Sequence, residues 1–123
     1  MSAVLMFNIP DRKAEEIRIL SIRLNFSCRE VAPSCQNMLI RDLLDGSAAS
    51  HSSSGKPFRD GMLVLDGFSH PDLNFLLNEL IRTGNQIALK AVVTPVNREW
   101  TAAELRSRLI EEDREMNSRG TSR

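Results

Sequence analysis

The sequence predicts an α/β domain: a small doubly wound, mostly parallel four-stranded sheet, strand order 2-1-3-4, with helices on both faces. Three observations predict it. Four apolar strand candidates alternate with four segments of helical periodicity, the pattern of repeated β-α units joined by right-handed crossovers. The first and third strand candidates are the most apolar, as strands covered on both faces are, so they belong in the middle. The second carries Arg29 and Glu30, charges that suit an edge and guard it against pairing with other chains.

Taken in order, Val4 to Ile9 reads as a short buried strand. A helix follows from Pro10-Asp11 through Leu24, with Ala14, Ile17, Leu20 and Leu24 at helical spacing. Asn25 suits a left-handed C-terminal cap. The second strand lies around Ser27 to Ala32. Ser34 is placed to cap a second helix that reaches Asp45, and Gly46 ends it. Residues 47–60, "SAASHSSSGKPFRD", hold five serines and no apolar periodicity. They are expected to form a flexible loop inside one domain, since too little chain lies on either side to fold alone. Met62-Leu63-Val64-Leu65 is the third strand. A helix then runs to about Thr83 on a stripe of Leu73, Leu76, Leu77 and Leu80, and Gly84 stops it. Ser69 and Asp72 have capping-box spacing, and Pro71 suits the first turn. The fourth strand spans roughly Ile87 to Val93, and the last helix Ala102 to Glu115. The domain is therefore expected over 1–116, with a disordered tail at 117–123 that has nothing to bury.

Composition narrows the function classes. Sixteen Lys and Arg balance sixteen Asp and Glu. The balance holds along the chain: six against six in 1–46, two against one in 47–60, and eight against nine in 61–123. A nucleic-acid binder shows a basic face or stripe, so nucleic acid is not an expected partner. No apolar run reaches the length of a membrane span, and the N-terminal segment lacks the basic region and cleavage site of a secretory signal. Cys28 and Cys35 match neither redox nor zinc-knuckle spacing, and His51 and His70 stand in separate segments. No metal and no cofactor is expected, and the location expected is the cytoplasm.

In an open parallel sheet, ligands bind outside the carboxyl ends of the strands where the strand order reverses. That crevice would lie between the first and third strands. The polar residues leaving those ends are Asn8, Asp66, Ser69, Thr94, Asn97 and, beyond them, Trp100. Helix N-termini aimed at the same rim would favour anions. Each residue also has a local use. Asp66 can bond the amides of its own "DGF" turn, and Ser69 is a helix cap. His70 directly follows Ser69 and is badly placed to activate it as a nucleophile. A phosphoreceiver reading fails because "FNIPD" supplies Asn8 where an acidic pair is needed, and Lys90 stands at the wrong end of its strand. No G-x-G-x-x-G follows a strand, which removes a dinucleotide site. Trp100 precedes Thr101, which has capping-box spacing with Glu104. It is placed to staple the last helix through Leu105, with a cleft wall or an interface anchor as the other roles.

The stretches "MLVLDGFSHPDLNFLLNEL" and "LKAVVTPVNREWTAAELRSRLIEE" carry a strand followed by a "GFS" turn, an "LKAV-TP-N-W-T" corner and a closing helix. In these features residues 61–116 resemble the family known as domain of unknown function 3783; the first half is similar more loosely. The resemblance implies a bacterial cytosolic origin and no activity, so no functional residue is carried over. The expectation is a non-catalytic cytosolic module that binds a partner protein or a small ligand at the strand-end rim. The rival is a small enzyme using Asp66 with Asn8, Ser69 and Thr94 for phosphate or hydrolytic chemistry, and a homodimer is a third arrangement. Titration of the unfolded, unreduced protein should find two reactive thiols per chain. Finding none would overturn the cytosolic expectation.

Overall fold

A computed structural model describes residues 2–46 and 57–121. Its strands are β1 (Ala3–Phe7), β2 (Ser27–Val31), β3 (Met62–Asp66) and β4 (Leu89–Val92). Its helices are α1 (Asp11–Leu24), α2 (Ile40–Asp45), α3 (His70–Arg82) and α4 (Ala102–Thr121). The four strands form one sheet in the order β2-β1-β3-β4. Alternation along the central strands divides the core. Val4, Met6, Leu63 and Leu65 pack under Ala14, Ile17 and Leu20 of α1 and Leu76 and Leu80 of α3. Leu5, Phe7, Met62 and Val64 pack under Ile40 and Leu43 of α2 and Ala102 and Leu105 of α4. Every residue of β1 from Val4 on, and of β3 up to Leu65, is buried, as strands covered on both faces must be.

The sheet is parallel at its flanks and antiparallel at its centre. β1 runs parallel to β2 and β3 parallel to β4, while β1 and β3 run antiparallel with Leu5 opposite Val64. The chain is thus the same β-α-β-α unit twice, related by a pseudo-twofold axis through that pair. A second point on the axis confirms it. Leu39 bridges Thr101 in antiparallel fashion, Ile40 N donates to Trp100 O at 2.9 Å, and Ala102 N donates to Met38 O at 3.1 Å. Each unit also has a left-handed residue after its first strand, Asn8 (φ 53°) and Gly67 (φ 78°), and another after its first helix, Asn25 (φ 55°) and Gly84 (φ 75°). The Asn25 cap expected from the sequence is one of these.

Several boundaries differ from the sequence expectations. Ser34 does not cap the second helix. Pro33–Cys35 form a separate tight turn, and α2 is only Ile40–Asp45. The reason is tertiary: Leu39 is held extended, with Ile40 N bonded to Trp100 O and Met38 O to Ala102 N, which delays the helix. The tail expected to be disordered at 117–123 is helical through Thr121. A helix already anchored gains one backbone hydrogen bond per added residue without needing burial. Of the loop expected to be flexible over 47–60, residues 47–56 lie outside the described residues and residues 57–60 are tied down. Asn8 Nδ2 donates to Phe58 O at 2.8 Å and Asp60 O at 3.1 Å. Gln36, fully buried, accepts from Phe58 N at 2.8 Å and donates to Asn8 Oδ1 at 3.2 Å. Arg106 pairs with the Asp60 carboxylate at 2.7 Å, and the Phe58 ring lies 5.9 Å from that of Phe7.

These bonds return the chain to β3 in register, so Gln36→Ala should be costly. It strands Phe58 N and the Asn8 amide oxygen, both half-buried. We expect a loss of about 2–3 kcal/mol in urea unfolding. The Arg59–Asp60 bond should resist trypsin in the wild type and be cut in the variant. A loss near zero would mean that the amide network contributes nothing to holding the strap.

Candidate functional site

The antiparallel centre decides where a site can lie. With Ala3 opposite Asp66 and Phe7 opposite Met62, the carboxyl ends of β1 and β2 share one end of the sheet with the amino ends of β3 and β4. The carboxyl ends of β3 and β4 lie at the other. A single rim between the first and third strands, expected from the sequence, requires those strands to be parallel, and they are not. Asn8 lies five residues beyond Ala3, about 17 Å from the level of Asp66 at strand rise.

The candidate residues separate accordingly. Asn8 holds the strap at 57–60, as described above. Asp66 is half-buried at the end of β3, and Ser69 at the start of α3 accepts from Asp72 N at 3.3 Å, which is its capping role. Thr94 and Asn97 close on each other at the end of β4. Thr94 N donates to Asn97 Oδ1 at 2.8 Å, Asn97 N donates to Thr94 Oγ1 at 3.0 Å, and Asn97 Nδ2 donates to Val92 O at 3.0 Å. Asp66, Ser69, Thr94 and Asn97 therefore belong to one end of the sheet, and Asn8 to the other.

Trp100 belongs to neither end. Its carbonyl accepts from Ile40 N near the pseudo-twofold axis. Its half-buried ring packs against the cluster that holds Leu105, and the Arg108 guanidinium lies 4.9 Å over it. Thr101 and Glu104 form the expected reciprocal box: Glu104 N donates to Thr101 Oγ1 at 3.1 Å, and Thr101 N donates to Glu104 Oε1 at 3.3 Å. The tryptophan stands at N′ of this helix, the position from which a staple acts.

A concave surface lies at the carboxyl ends of β1 and β2, beside Asn8. The connection from β1 passes to the α1/α3 face and that from β2 to the α2/α4 face, the divergence that opens a crevice at carboxyl ends. A cavity of about 370 Å³ lies there, lined by Met6, Asn8, Ile9, Val31, Ala32 and Pro33, with Glu30 at its side. Among the described residues, no three His, Cys, Asp or Glu side chains come together as a metal ion would need. No helix of the described residues is long and apolar enough to cross a membrane. Cys28 packs with the α1/α3 core and Cys35 with the α2/α4 core, so the sheet stands between the two thiols. On α3 the carboxyl of Glu79 is held below its ordinary range, first by its hydrogen bond from Arg82 and further by the charges of Arg82 and Arg23. Arg82 is raised by the same bond. The pair marks a surface contact of α3 and no cleft.

Gln36 is the structural residue that sequence reasoning missed. It is a single polar letter between Cys35 and Asn37, in the first turn of the helix expected after Ser34, and nothing local marks it as buried.

The second β-α-β-α unit coincides with a known family. Residues 61–116 match the model described as Domain of unknown function (DUF3783). The match begins one residue before β3 and ends within α4, so the DUF3783 segment is one structural repeat of the fold. Neither a curated protein nor a solved structure matches the chain.

Stability separates the staple from the other two roles expected for Trp100, a cleft wall and an interface anchor. Trp100→Ala should cost roughly 2–3 kcal/mol, less than a fully buried Trp because this one is half-buried. Thr101→Ala should cost about 1 kcal/mol through loss of the cap, and the double mutant should show coupling because both fix one helix entry. Urea melts of the three variants check it. A Trp100→Ala loss below about 0.5 kcal/mol, the scale of a surface change, would sink the staple.

Proposed function

We propose that the chain is a non-catalytic α/β module that binds a partner protein or a small ligand at the carboxyl ends of its strands. The reading extends to a bacterial cytoplasm as its setting, which the family resemblance implies and which suits two thiols kept apart by the sheet. One observation carries it. Of the polar side chains read as rim candidates, Asn8, Ser69, Thr94 and Asn97 bond their own turns and neighbours. Groups already bonded within the fold are poor candidates for moving protons or attacking a substrate, which need a base or nucleophile within reach. The crevice between the ends of β1 and β2 is the surface best shaped for an apolar ligand or side chain, since Met6, Ile9, Val31, Ala32 and Pro33 supply most of its wall. The even charge balance of the chain favours a protein or a small molecule over nucleic acid.

The enzyme reading uses Asp66 with Asn8, Ser69 and Thr94, and of these Asn8 stands at the opposite end of the sheet from the other three. A fragment screen read by amide chemical shifts tests both readings. Hits should gather at Ile9, Val31 and Ala32, and Asp66→Asn should leave them unchanged. Hits gathered at Asp66, Gly67 and Thr94, and lost on Asp66→Asn, would instead support a phosphate or hydrolytic site at that end.

A further inference from the structure

The sheet has two outer edges, and they are finished differently. In a parallel ladder alternate residues direct both N–H and C=O to the neighbouring strand, and those between direct both away. Val93 N donates to Leu65 O, so Val92 of β4 faces outward, and its carbonyl is occupied by Asn97 Nδ2. Ser27 N donates to Ser2 O, so Cys28 and Glu30 of β2 face outward. The charges that should guard this edge are turned away from it. Arg29 folds onto the α2/α4 face, where its Nη1 donates to Leu43 O at 2.8 Å. Glu30 is drawn onto the other face by Arg18 at 2.9 Å. Among the described residues no strand pairs with the outer side of β2.

Beside that edge, between β2 and α2, lies a second cavity of about 430 Å³. Val31, Ala32, Cys35 and Leu43 make its apolar wall, and Arg29 crosses it next to Gly46. A Cβ at Gly46 would stand 3.1 Å from Arg29 Nη1, and its φ of 82° disfavours most other residues, so the glycine leaves room for the guanidinium. Among the described residues no carboxylate forms an ion pair with Arg29. Arg29 and Val31 are two residues apart on one face of the strand, and side chains of an added strand repeat at the same interval.

We propose that the open edge of β2 receives an extended peptide as a fifth strand, with an apolar side chain in the cavity against Val31 and Leu43 and an acidic side chain beside Arg29. Backbone hydrogen bonds supply the affinity and the alternate side chains the specificity, as in other strand additions. The surface shares Glu30, Val31 and Ala32 with the crevice at the ends of β1 and β2 and differs from it in Arg29, Cys35, Leu43 and Gly46; the peptide reading stands whether or not that crevice takes a ligand.

A palindromic probe makes the test independent of strand direction: acetyl-Ser-Val-Asp-Thr-Leu-Thr-Asp-Val-Ser-amide, titrated into the full chain and read by amide shifts and hydrogen exchange. The Cys28 and Glu30 amides should shift and exchange more slowly in its presence. Exchanging the central Leu with the preceding Thr turns the Leu to the other face and should weaken binding about tenfold or more, the worth of one buried Leu. Replacing both Asp of the probe by Asn should weaken it about two- to fivefold, the scale of an exposed ion pair; Arg29→Gln should do the same. Equal binding of the exchanged probe, or shifts confined to Met6 and Ile9, would overturn the proposal. So would slow exchange of Cys28 and Glu30 without peptide: dependent on protein concentration, it would show a second copy on the edge, and independent of it, a segment of this chain.

Discussion

The antiparallel pairing of β1 with β3 is the constraint on which the rest depends. Each β-α-β-α unit alone buries only one flank of its first strand, and would expose the other to water along a continuous apolar run. Laying the two runs side by side buries both, in the register that sets Leu5 against Val64. One pairing therefore completes both cores, because residues on either face of β1 meet residues of the same face of β3. It also fixes which helices share a layer, with α1 and α3 on one side and α2 and α4 on the other.

The same pairing explains why the strand-end residues do not converge. Parallel strands collect their carboxyl ends at one rim, whereas two parallel pairs placed back to back divide them between two ends. What each end then does depends on local chemistry. At the β3/β4 end the Thr94–Asn97 exchange of hydrogen bonds closes the turn on itself. At the β1/β2 end Asn8 and Gln36 turn inward to hold the returning strap, and a mostly apolar crevice remains beside them.

How much of this was legible follows from the range of the interactions involved. The strand order, the caps at Ser69 and Thr101, and the left-handed turn at Asn25 rest on signals a few residues long, and all are present in the structure. Strand direction at the centre was not legible. A β-α-β-α series reads the same whether its two halves pair in parallel or about a twofold axis, and the 47–60 connection does not decide between them. The delay of the second helix to Ile40 was hidden for a similar reason: its cause is a pair of bonds to Met38 and Ile40 from the other unit. Gln36 was invisible because its partners, Asn8, Phe58 and Ala103, come from three separate segments.

The repeat also shows where the two units have parted, and the difference falls at the edges. In matching registers Arg29 of β2 stands where β4 has Ala91, and Glu30 where β4 has Val92. Ala91 is small enough for α4 to pack over β4, and that helix is long. Arg29 instead reaches across to the last turn of α2, a helix of six residues that packs on β1. A short helix held at its C-terminal end by a strand arginine leaves the outer strand uncovered on that face, and the cavity beside β2 is the result. An arginine that only needed to cap carbonyls could do so from the helix itself. Placed on the strand, it keeps α2 back from the edge and holds a cation in the opening. The β4 edge has no such residue, and there Asn97 occupies the outward carbonyl instead. Among the described residues, two copies of one unit thus end in one edge whose outward carbonyl at Val92 is bonded by Asn97 and one that carries the Arg29 charge beside an unpaired strand.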